Sequence, residues 1–405
     1  MAKKRSAEIW WVVIAVVGVL FTLILGLPRY MKYTATVLHP QPYNAPSAIR
    51  TEPPPSFSAS VQRGRDIIRA GLSEQNVPGL SVAVGVGNEV VWAEGFGWAD
   101  IEKRAPVTPE TRFRIGTASM VLTSAAVGKL LEQGKLRLDE PIQTYVPQYP
   151  KQQWPVTLRH FMAHTSGVRN DGGDEGELFS QHCERPVEGL SAIADRPLRF
   201  QPGTEYHYSR YGYIPVSAAV ESAGQPFLTY MQKEIFEPLG MRNTVPESAT
   251  TPVPDRTTVY FPRFGADPRY GLHLMRDLDL SCYAGAMVFL STPSDMVRFG
   301  LGINNGKLLQ PATVKLMQTS EKLPSGKETG YGLGWDLETV TLAGTQTQVV
   351  GHDGDLLGGM ISSLVILPEH GIVVAVMSNI SYTETFTLAT KVAEVFAQRN
   401  PRPAR

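Results

Sequence analysis

The sequence lacks an excess of charge of one sign, has few cysteines and shows no internal repeat. Its 38 Lys and Arg residues balance 38 Asp and Glu residues, so no overall electrostatic field attracts nucleic acid. Cys183 and Cys282 are the two cysteines in 405 residues. They could form one disulfide or remain two thiols, and their spacing matches no metal site. Nucleic-acid binding, a metal and any other cofactor are therefore not expected.

One long uncharged run is present near the N-terminus. Residues 9–27 carry no charge over 19 positions, which is long enough for a helix to cross the hydrocarbon core of a membrane. Trp10 and Trp11 stand where indoles prefer the membrane interface. A cleavable signal peptide is the alternative, but it would have a shorter apolar core and a small-residue cleavage site, which residues 28–30 do not supply.

The predicted anchor has more basic residues before it than after it. Because positive charge favours the cytoplasmic side, this bias puts the N-terminus in the cytoplasm and the remaining chain outside the cell membrane, in the periplasm of a Gram-negative cell. The residues compared are Lys3, Lys4 and Arg5 before the run, and Arg29 and Lys32 after it.

The rest of the chain divides by composition. Residues 1–35 hold a cytoplasmic tip and the anchor, and residues 36–60 are rich in proline, which is typical of an extended, semi-rigid stalk. Residues 61–400 are expected to form the main domain, with a mainly helical subdomain at about 120–335. Residues 401–405 are a short tail.

Hydrophobic periodicity predicts strands at both ends of the main domain and helices between them. Residues 78–99 read as a β-hairpin that turns at Gly87 and Asn88. Further predicted strands are 332–335, 348–350, 360–367 and 372–377, and the predicted helices are 61–72, 136–145, 157–164, 214–223, 227–236 and 385–397. Since hairpins at the two ends can join edge to edge, the expected fold is α/β (α+β): an antiparallel sheet flanked by helices, with an inserted helical subdomain.

The stretch FRIGTASM, residues 113–120, is the first candidate for a catalytic motif. Gly116 allows a tight turn, and the small residues after it suit a helix start. Apolar residues then recur at helical spacing, so Thr117 is expected at the N-terminus of a buried helix. A hydroxyl there lies near unpaired backbone N–H groups and the positive end of the helix dipole, which suits a nucleophile.

Residues 60–400 resemble the serine β-lactamase and penicillin-binding-protein superfamily, specifically its class C β-lactamase, esterase and mitochondrial β-lactamase-like branch. In that superfamily the corresponding helix opens with Phe-Arg-Ile-Gly-Ser-x-x-Lys, where the Ser is acylated and the Lys activates it. Thr117 stands at the serine position and Met120 at the lysine position, so this motif is degenerate. The resemblance implies a site in the groove between the sheet and the helical subdomain.

Two further segments carry the resemblance. Tyr208 matches the catalytic tyrosine within the pattern F-x-P-G-x-x-x-x-Y-S-x-x-G-Y, and Arg210 replaces the asparagine of Tyr-x-Asn. His352 begins the His-x-Gly element of this branch, whose Gly354 lets a substrate lie along the strand edge. The backbone N–H of Asp355 would complete an oxyanion hole with that of the nucleophile residue.

The resemblance thus implies two sets of site residues. The catalytic set is Thr117, Tyr208 and His352, and the substrate-binding set is Met120, Arg210, Gly354 and Asp355. His164, in the pattern x-x-H-T-S-G, is expected to fix a loop beside the site. An acidic run with a nearby histidine and cysteine fits no metal-ligand spacing and is interpreted as a solvated loop that rims the groove. Its residues are Asp171, Asp174, Glu175, Glu177, His182, Cys183 and Glu184.

The two substitutions in the first motif predict impaired catalysis. Thr117 keeps an oxygen but adds a methyl group that restricts χ1 and hinders attack, and Met120 cannot accept a proton. Losing a general base lowers a rate by about 10²–10⁴, and losing residues that act as a unit lowers it by about 10⁶. Alternatively, Arg210 could reach the volume of the missing lysine and lower the pKa of Tyr208, which would then act as the base.

Three functions remain open at this point. The first is a membrane-tethered weak hydrolase or non-catalytic binder of a small-molecule or peptide ligand with a carbonyl group. The second is an active esterase or amidase that uses Thr117 with Tyr208 as base. The third is a scaffold protein in which the groove is incidental. The sequence carries no indication of the oligomeric state.

Overall fold

The computed structural model describes residues 2–169, 181–248, 251–275, 277–356 and 360–398. Within these ranges the strands are β1 Ser47–Ile49, β2 Gly79–Val86, β3 Glu89–Asp100, β4 Ala105–Pro106, β5 Phe113–Arg114, β6 Val245–Pro246, β7 Tyr260–Pro262, β8 Leu272–Leu274, β9 Phe289–Ser291, β10 Asp336–Leu342, β11 Thr345–Leu356, β12 Met360–Leu367 and β13 Ile372–Ser378. The helices are α1 Ala2–Tyr33, α2 Ser58–Glu74, α3 Ser119–Glu132, α4 Leu158–Met162, α5 Tyr213–Ser222, α6 Phe227–Tyr230, α7 Glu237–Leu239, α8 Pro293–Asn304, α9 Pro311–Met317 and α10 Thr385–Ala397.

The main sheet is antiparallel and is built from both ends of the chain. In the described residues its strand order is β1-β3-β2-β13-β12-β11-β10, with β4 paired to β3. The hairpin from the N-terminal half joins the C-terminal strands through β2 and β13, where Val82 lies opposite Val376. The predicted antiparallel α/β fold, closed by strands from both termini, is therefore confirmed.

Side chains of β13 alternate between two hydrophobic cores, as the two-residue period of a strand requires. Val374 and Val376 lie in the core that α2 and α10 cover, whereas Val373 and Ala375 lie in the larger core shared with α3 and α8. The strand is buried along its whole length. Helices therefore cover both faces of the sheet, and α3 runs inside the larger core.

Two predicted elements are wrong. Residues 332–335 form a turn rather than a strand, and β10 begins only at Asp336; Gly334 adopts a φ of +90°, which strand residues do not. Residues 136–145 contain a single 3-10 turn, Ile142–Thr144, in place of a helix. Pro141 precedes that turn in an extended conformation, and proline has no N–H for a helix.

The proline-rich segment does not extend away from the domain as a stalk. Its residues 36–49, which we call the N-terminal strap, pack along α2 and end in β1, which pairs with β3. The N–H of Leu38 donates to Oδ1 of Asn76 at 2.8 Å, and Arg69 donates to the carbonyl of Pro42 at 2.8 Å. His39 is 3% exposed. Side chains from α2 and the loop after it thus fix a segment whose composition predicts a free spacer.

Two further predictions concern covalent and membrane structure. Cys183 and Cys282 form a disulfide, so the alternative of two free thiols is excluded. Residues 10–33 lie in one helix that contains an 18-residue stretch with a mean hydropathy of 2.6, and no residue of that stretch is buried by the rest of the chain. Its length and composition are sufficient to cross a membrane.

Candidate active site

Thr117 lies in a tight turn between β5 and α3. Gly116, with a φ of +53°, begins a 3-10 turn that runs directly into the helix. Glycine adopts this left-handed conformation without steric cost. Thr117 is 4% exposed, and its Oγ1 donates a hydrogen bond to the carbonyl oxygen of Asp353 in β11, at 3.0 Å. The predicted position at the start of a buried helix is thus the observed one.

Strand β11 touches this turn through its backbone. A Cβ atom on Gly354 would overlap the carbonyl oxygen of Ile115, so only glycine fits. Ser362, opposite Gly354 in β12, donates from Oγ to the same carbonyl oxygen at 2.9 Å. The backbones at Thr117 and Asp355 are therefore brought to one edge of the sheet, as an oxyanion hole would require, and that role remains a prediction.

Met120 occupies the position next to the phenol of Tyr208. The Tyr208 hydroxyl donates a weak hydrogen bond to Sδ of Met120 at 3.6 Å, and Met120 is fully buried. Burial raises the pKa of Tyr208 above its ordinary value, while the nearby Thr117 hydroxyl and the charge of Arg210 oppose that shift. The hypothesis of Tyr208 as base required a lowered pKa, and the net direction is the opposite.

His352 uses both of its ring nitrogens within the protein. Its Nδ1 lies 2.6 Å from the carbonyl oxygen of Asp353, and its Nε2 lies 2.9 Å from the hydroxyl of Tyr331. Because a carbonyl oxygen can only accept, Nδ1 carries a proton, and Nε2 shares a hydrogen bond with the Tyr331 hydroxyl. A carboxylate oxygen of Asp336 lies 3.8 Å from Nδ1. This chain of contacts orients the imidazole.

His164 is the centre of an aromatic cluster beneath the site. Its ring centroid lies 4.2 Å from that of Tyr208 and 4.7 Å from that of Tyr331, and its Nδ1 accepts from the N–H of Ser209 at 3.3 Å. Burial, followed by the neighbouring His352, holds the pKa of His164 well below its ordinary value. The side chain is therefore a neutral packing element, which agrees with the structural role expected for it.

Tyr206 lies at the edge of this cluster. It is 37% exposed, and its ring lies 6.1 Å from that of Tyr331. Burial, with a smaller contribution from Asp336, raises the pKa of Tyr206 to about 12. The exposed side of the site thus presents a neutral phenol.

The structure brings most of the predicted site residues together. Thr117, Met120, Tyr208, His352 and Gly354 surround one point, where the turn before α3 meets β11. Arg210 begins the 3-10 turn Arg210–Gly212, and its charge opposes the rise in the pKa of Tyr208. The predicted role of Asp355 involves its backbone N–H. Three residues that sequence reasoning missed complete the surroundings: Tyr331, Asp336 and Ser362.

The acidic run provides no metal site in the part that can be examined. Positions 171–177 lie outside the described residues, whereas His182 is bonded to Asp279 at 2.8 Å and to Glu184 at 3.2 Å. Among the described residues, no group of three or more His, Cys, Asp or Glu side chains is arranged to hold a metal ion.

The buried Thr117 hydroxyl lies at the start of a helix and against a strand of the antiparallel sheet, the kind of position that the nucleophile of an acyl transfer can occupy. The model of the beta-lactamase family matches residues 65–397, and the chain belongs to that family, within the serine β-lactamase and penicillin-binding-protein-like superfamily.

The serine beta-lactamase-like protein LACTB, mitochondrial, of Mus musculus is 28% identical over 87% of this chain and 83% of its own length. The octameric penicillin-binding protein homologue from Pyrococcus abyssi superposes with a TM-score of 0.70 at 26% identity, over 84% of this chain and 78% of that chain. FmtA from Staphylococcus aureus has a TM-score of 0.70 at 20% identity, over 88% and 91% of the two chains, which shows a shared fold alone.

Proposed function

We propose that this protein is a membrane-anchored member of the beta-lactamase family whose acyl-transfer site is catalytically impaired, and that it binds a carbonyl-containing small molecule or peptide in the retained groove. The observation that carries the proposal is the direction of the hydrogen bonds around Thr117. An acyl-transfer site needs a base that accepts the proton of its nucleophile.

The hydroxyl groups at this site act as donors to groups that cannot serve as that base. Thr117 donates to the carbonyl oxygen of Asp353, and Tyr208 donates to the thioether of Met120. Both nitrogens of His352 are engaged, one by that carbonyl and the other by Tyr331. Ionising Tyr208 is opposed by its burial, because the phenolate would lose the solvation of water.

The proposed groove would hold a carbonyl group through backbone features that need no chemistry. The contact between Gly354 and the turn before α3 is made by backbone atoms, so it does not depend on the substituted side chains. Backbone N–H groups at the start of α3 would still bind a carbonyl oxygen or a carboxylate. Such a site would retain affinity for an acylated amino acid or a peptide while losing turnover.

Membrane anchoring is part of the same proposal. Helix α1 has the length and hydropathy of a membrane span, and the excess of basic residues before it favours a cytoplasmic N-terminus with the domain outside. The LACTB relatives are named as mitochondrial proteins, so the corresponding alternative is a membrane of that organelle. A carbonate wash of isolated membranes, with protease protection of the domain, tests anchoring and sidedness.

The test of impairment is covalent labelling. Purified full-length protein is incubated with a fluorescent penicillin or a fluorophosphonate, and the peptide that contains residue 117 is analysed by mass spectrometry. We expect no adduct on the unaltered chain and labelling after the double change Thr117→Ser with Met120→Lys. The matched control is Thr117→Ala with Met120→Lys, which adds the same lysine but removes the hydroxyl.

The outcomes separate the three candidate functions. Rapid labelling of unaltered Thr117 would overturn the proposal and establish the active esterase or amidase, whose base would then be sought by Tyr208→Phe. Labelling of only the restored variant supports an intact groove that lacks a base. If the restored variant folds and remains inert with every probe, the groove does not accept such ligands, and a scaffold function is favoured.

A further inference from the structure

The two ends of helix α1 carry exposed aromatic residues at a spacing that matches a membrane. Trp10 and Trp11 are 67% and 71% exposed, and Tyr30 and Tyr33 are 62% and 90% exposed. The 20 positions from Trp10 to Tyr30 span about 30 Å in a helix, the thickness of a hydrocarbon core. Because Trp and Tyr prefer the interface, Tyr30 and Tyr33 mark the level of the lipid headgroups on the side of the domain.

The loop between β7 and β8 is attached to α1 at this level. Arg263 donates from its NH2 group to the carbonyl oxygen of Met31 and to Oγ1 of Thr34, both at 2.7 Å. Its own N–H donates to the carbonyl oxygen of Gly271 at 2.8 Å. Residues 263–271, which we call the hairpin tip, therefore lie beside the last turn of α1.

The N-terminal strap leaves no slack between α1 and the domain. Asn76 donates to the carbonyl of Thr36 at 3.0 Å, and Ser73 donates to the carbonyl of His39 at 2.8 Å. Arg69 and then β1 hold the residues that follow. Attachments thus recur every few residues from 31 to 49, so the domain cannot swing freely about the helix end.

The composition of the hairpin tip suits a headgroup region. Phe264 and Tyr270 pack edge to face with ring centroids 5.7 Å apart, and Gly265 and Ala266 between them are exposed. Arg269 is exposed and is bonded to Asp267, while Lys32 and Arg263 add positive charge next to it. Aromatic rings with nearby Lys and Arg are the combination that binds at an anionic membrane surface.

We infer that the hairpin tip, residues 263–271, is a lipid-contacting surface that seats the domain directly on the bilayer in one orientation. The inference rests on the proposed anchoring by α1. The inference also fixes the position of the candidate site relative to the membrane. Strand β7 is attached to one end of the main sheet, because the N–H of Tyr260 donates to the carbonyl of Asn379, directly after β13. In the sheet register Ser378 is opposite Ile361, which is opposite Asp355, so the site and the hairpin share the same sheet end.

The test uses single introduced cysteines, since both native cysteines are joined in the disulfide. Ala266→Cys places a dansyl or bimane label at the hairpin tip. Thr345→Cys is the matched control, because Thr345 is an exposed residue that begins β11 directly after the β10–β11 turn. This label lies beside β10, whereas the N-terminal strap that leads from α1 ends in β1, and six strand spacings, about 29 Å, separate these two strands. Full-length protein is reconstituted in vesicles of phosphatidylcholine and phosphatidylglycerol that contain a headgroup-nitroxide phosphatidylcholine.

We expect the label at position 266 to lose most of its fluorescence to the nitroxide lipid and the label at position 345 to lose little. Equal, weak quenching at both positions in protein that resists a carbonate wash would overturn the inference while leaving the anchor intact. Protein that the wash removes from the vesicles would refute the anchor itself, and with it the inference. Vesicles of phosphatidylcholine alone should reduce quenching at position 266 if positive charge contributes to the contact.

Discussion

The buried ion pair beneath the candidate site allows a sharp prediction about stability. Arg114, three residues before Thr117, shares its single Nε–H between both carboxylate oxygens of Glu247 and donates from NH2 to one of them, at 2.7–2.9 Å. Both side chains are at most 3% exposed. Arg256 donates to the same carboxylate at 2.9 Å. The carboxylate of Glu247 therefore contacts two guanidinium groups, of which that of Arg256 also pairs with Asp277 at 2.7 Å, so the two partners of the buried pair are not equivalent.

The asymmetry sets the order of the expected effects. In Glu247→Gln, Arg114 keeps its charge in a buried position, and the remaining carboxylate that pairs with it among the described residues is that of Asp277, at 4.0 Å. Breaking a buried pair in this way costs about 3–5 kcal/mol of unfolding free energy. In Arg114→Met, Glu247 retains Arg256, so the loss is smaller, about 1–3 kcal/mol. The double change Arg114→Met with Glu247→Leu removes both charges and should be less destabilising than Glu247→Gln alone.

Urea unfolding of the detergent-solubilised chain, followed by tryptophan fluorescence, measures this order. Glu328→Gln is the matched control, because Glu328 pairs with Lys322 at 3.2 Å but both side chains are at least 60% exposed. Such a surface pair contributes at most about 1 kcal/mol. If Glu247→Gln and Glu328→Gln lower stability equally, or if Arg114→Met costs more than Glu247→Gln, the reasoning from uncompensated buried charge is refuted.

Two other perturbations give expected outcomes. The pKa of His164 is held below 6.5 in the folded chain, so below about pH 6.5 the unfolded state binds a proton that the folded state does not. Stability should therefore fall by about 1.4 kcal/mol per pH unit for this group as the pH is lowered. His164→Asn should flatten the pH dependence of the unfolding midpoint between pH 7 and 5 by about one proton, and an unchanged slope would contradict the assignment. The disulfide closes a loop with a sequence separation of 99, so its reduction should lower the unfolding free energy by about 4–5 kcal/mol through loop entropy. The control is Cys183→Ser with Cys282→Ser, whose melting temperature should not respond to a reductant. If the melting temperature of the unaltered chain does not respond either, the bond contributes nothing to stability.

The parts of the fold that the sequence predicts well are those with local periodicity. The hairpin that turns at Gly87 and Asn88 is observed as β2 and β3, and the helix predicted at 385–397 is α10 with the same bounds. In these segments the burial of each side chain follows from its position in the strand or the helix. The pattern of a few neighbouring residues is therefore sufficient, and joining the strands from both ends follows from their antiparallel hairpins.

The N-terminal strap shows where local patterns fail. Its prolines predict an extended backbone, which is correct, but an extended segment can lie in solvent or along a domain. The groups that decide this are Arg69, Ser73 and Asn76 on α2 and just beyond it, which bond to strap residues about 24 to 40 positions away in the sequence. Each is a polar residue that reads as an ordinary surface position, so no signal in the strap itself reveals the contact.

The candidate site shows the same limit. Thr117, Tyr208 and His352 each belong to a motif that identifies them, whereas Tyr331 belongs to none, and the strand predicted at 332–335 gives no indication of its contact with His352. The turn with Gly334 at positive φ instead allows Tyr331 to reach Nε2 of His352. A glycine pair flanking a leucine is compatible with either conformation, and only the tertiary contact distinguishes them.

The substitution at position 120 changes a single side chain and leaves the backbone contacts of the turn in place. The geometry of the turn at Thr117 depends on Gly354 and Ser362, which act through the backbone of the turn, while the base of the superfamily motif corresponds to one side chain, that of Met120. Methionine and lysine have unbranched side chains of similar length, so the exchange leaves the fully buried volume filled. The thioether even accepts the Tyr208 hydroxyl, weakly. On the proposed function, methionine in place of the lysine would therefore remove proton transfer without creating a cavity. A lysine returned to this position would need hydrogen-bond partners, and the hydroxyls of Tyr208 and residue 117 are already within the site.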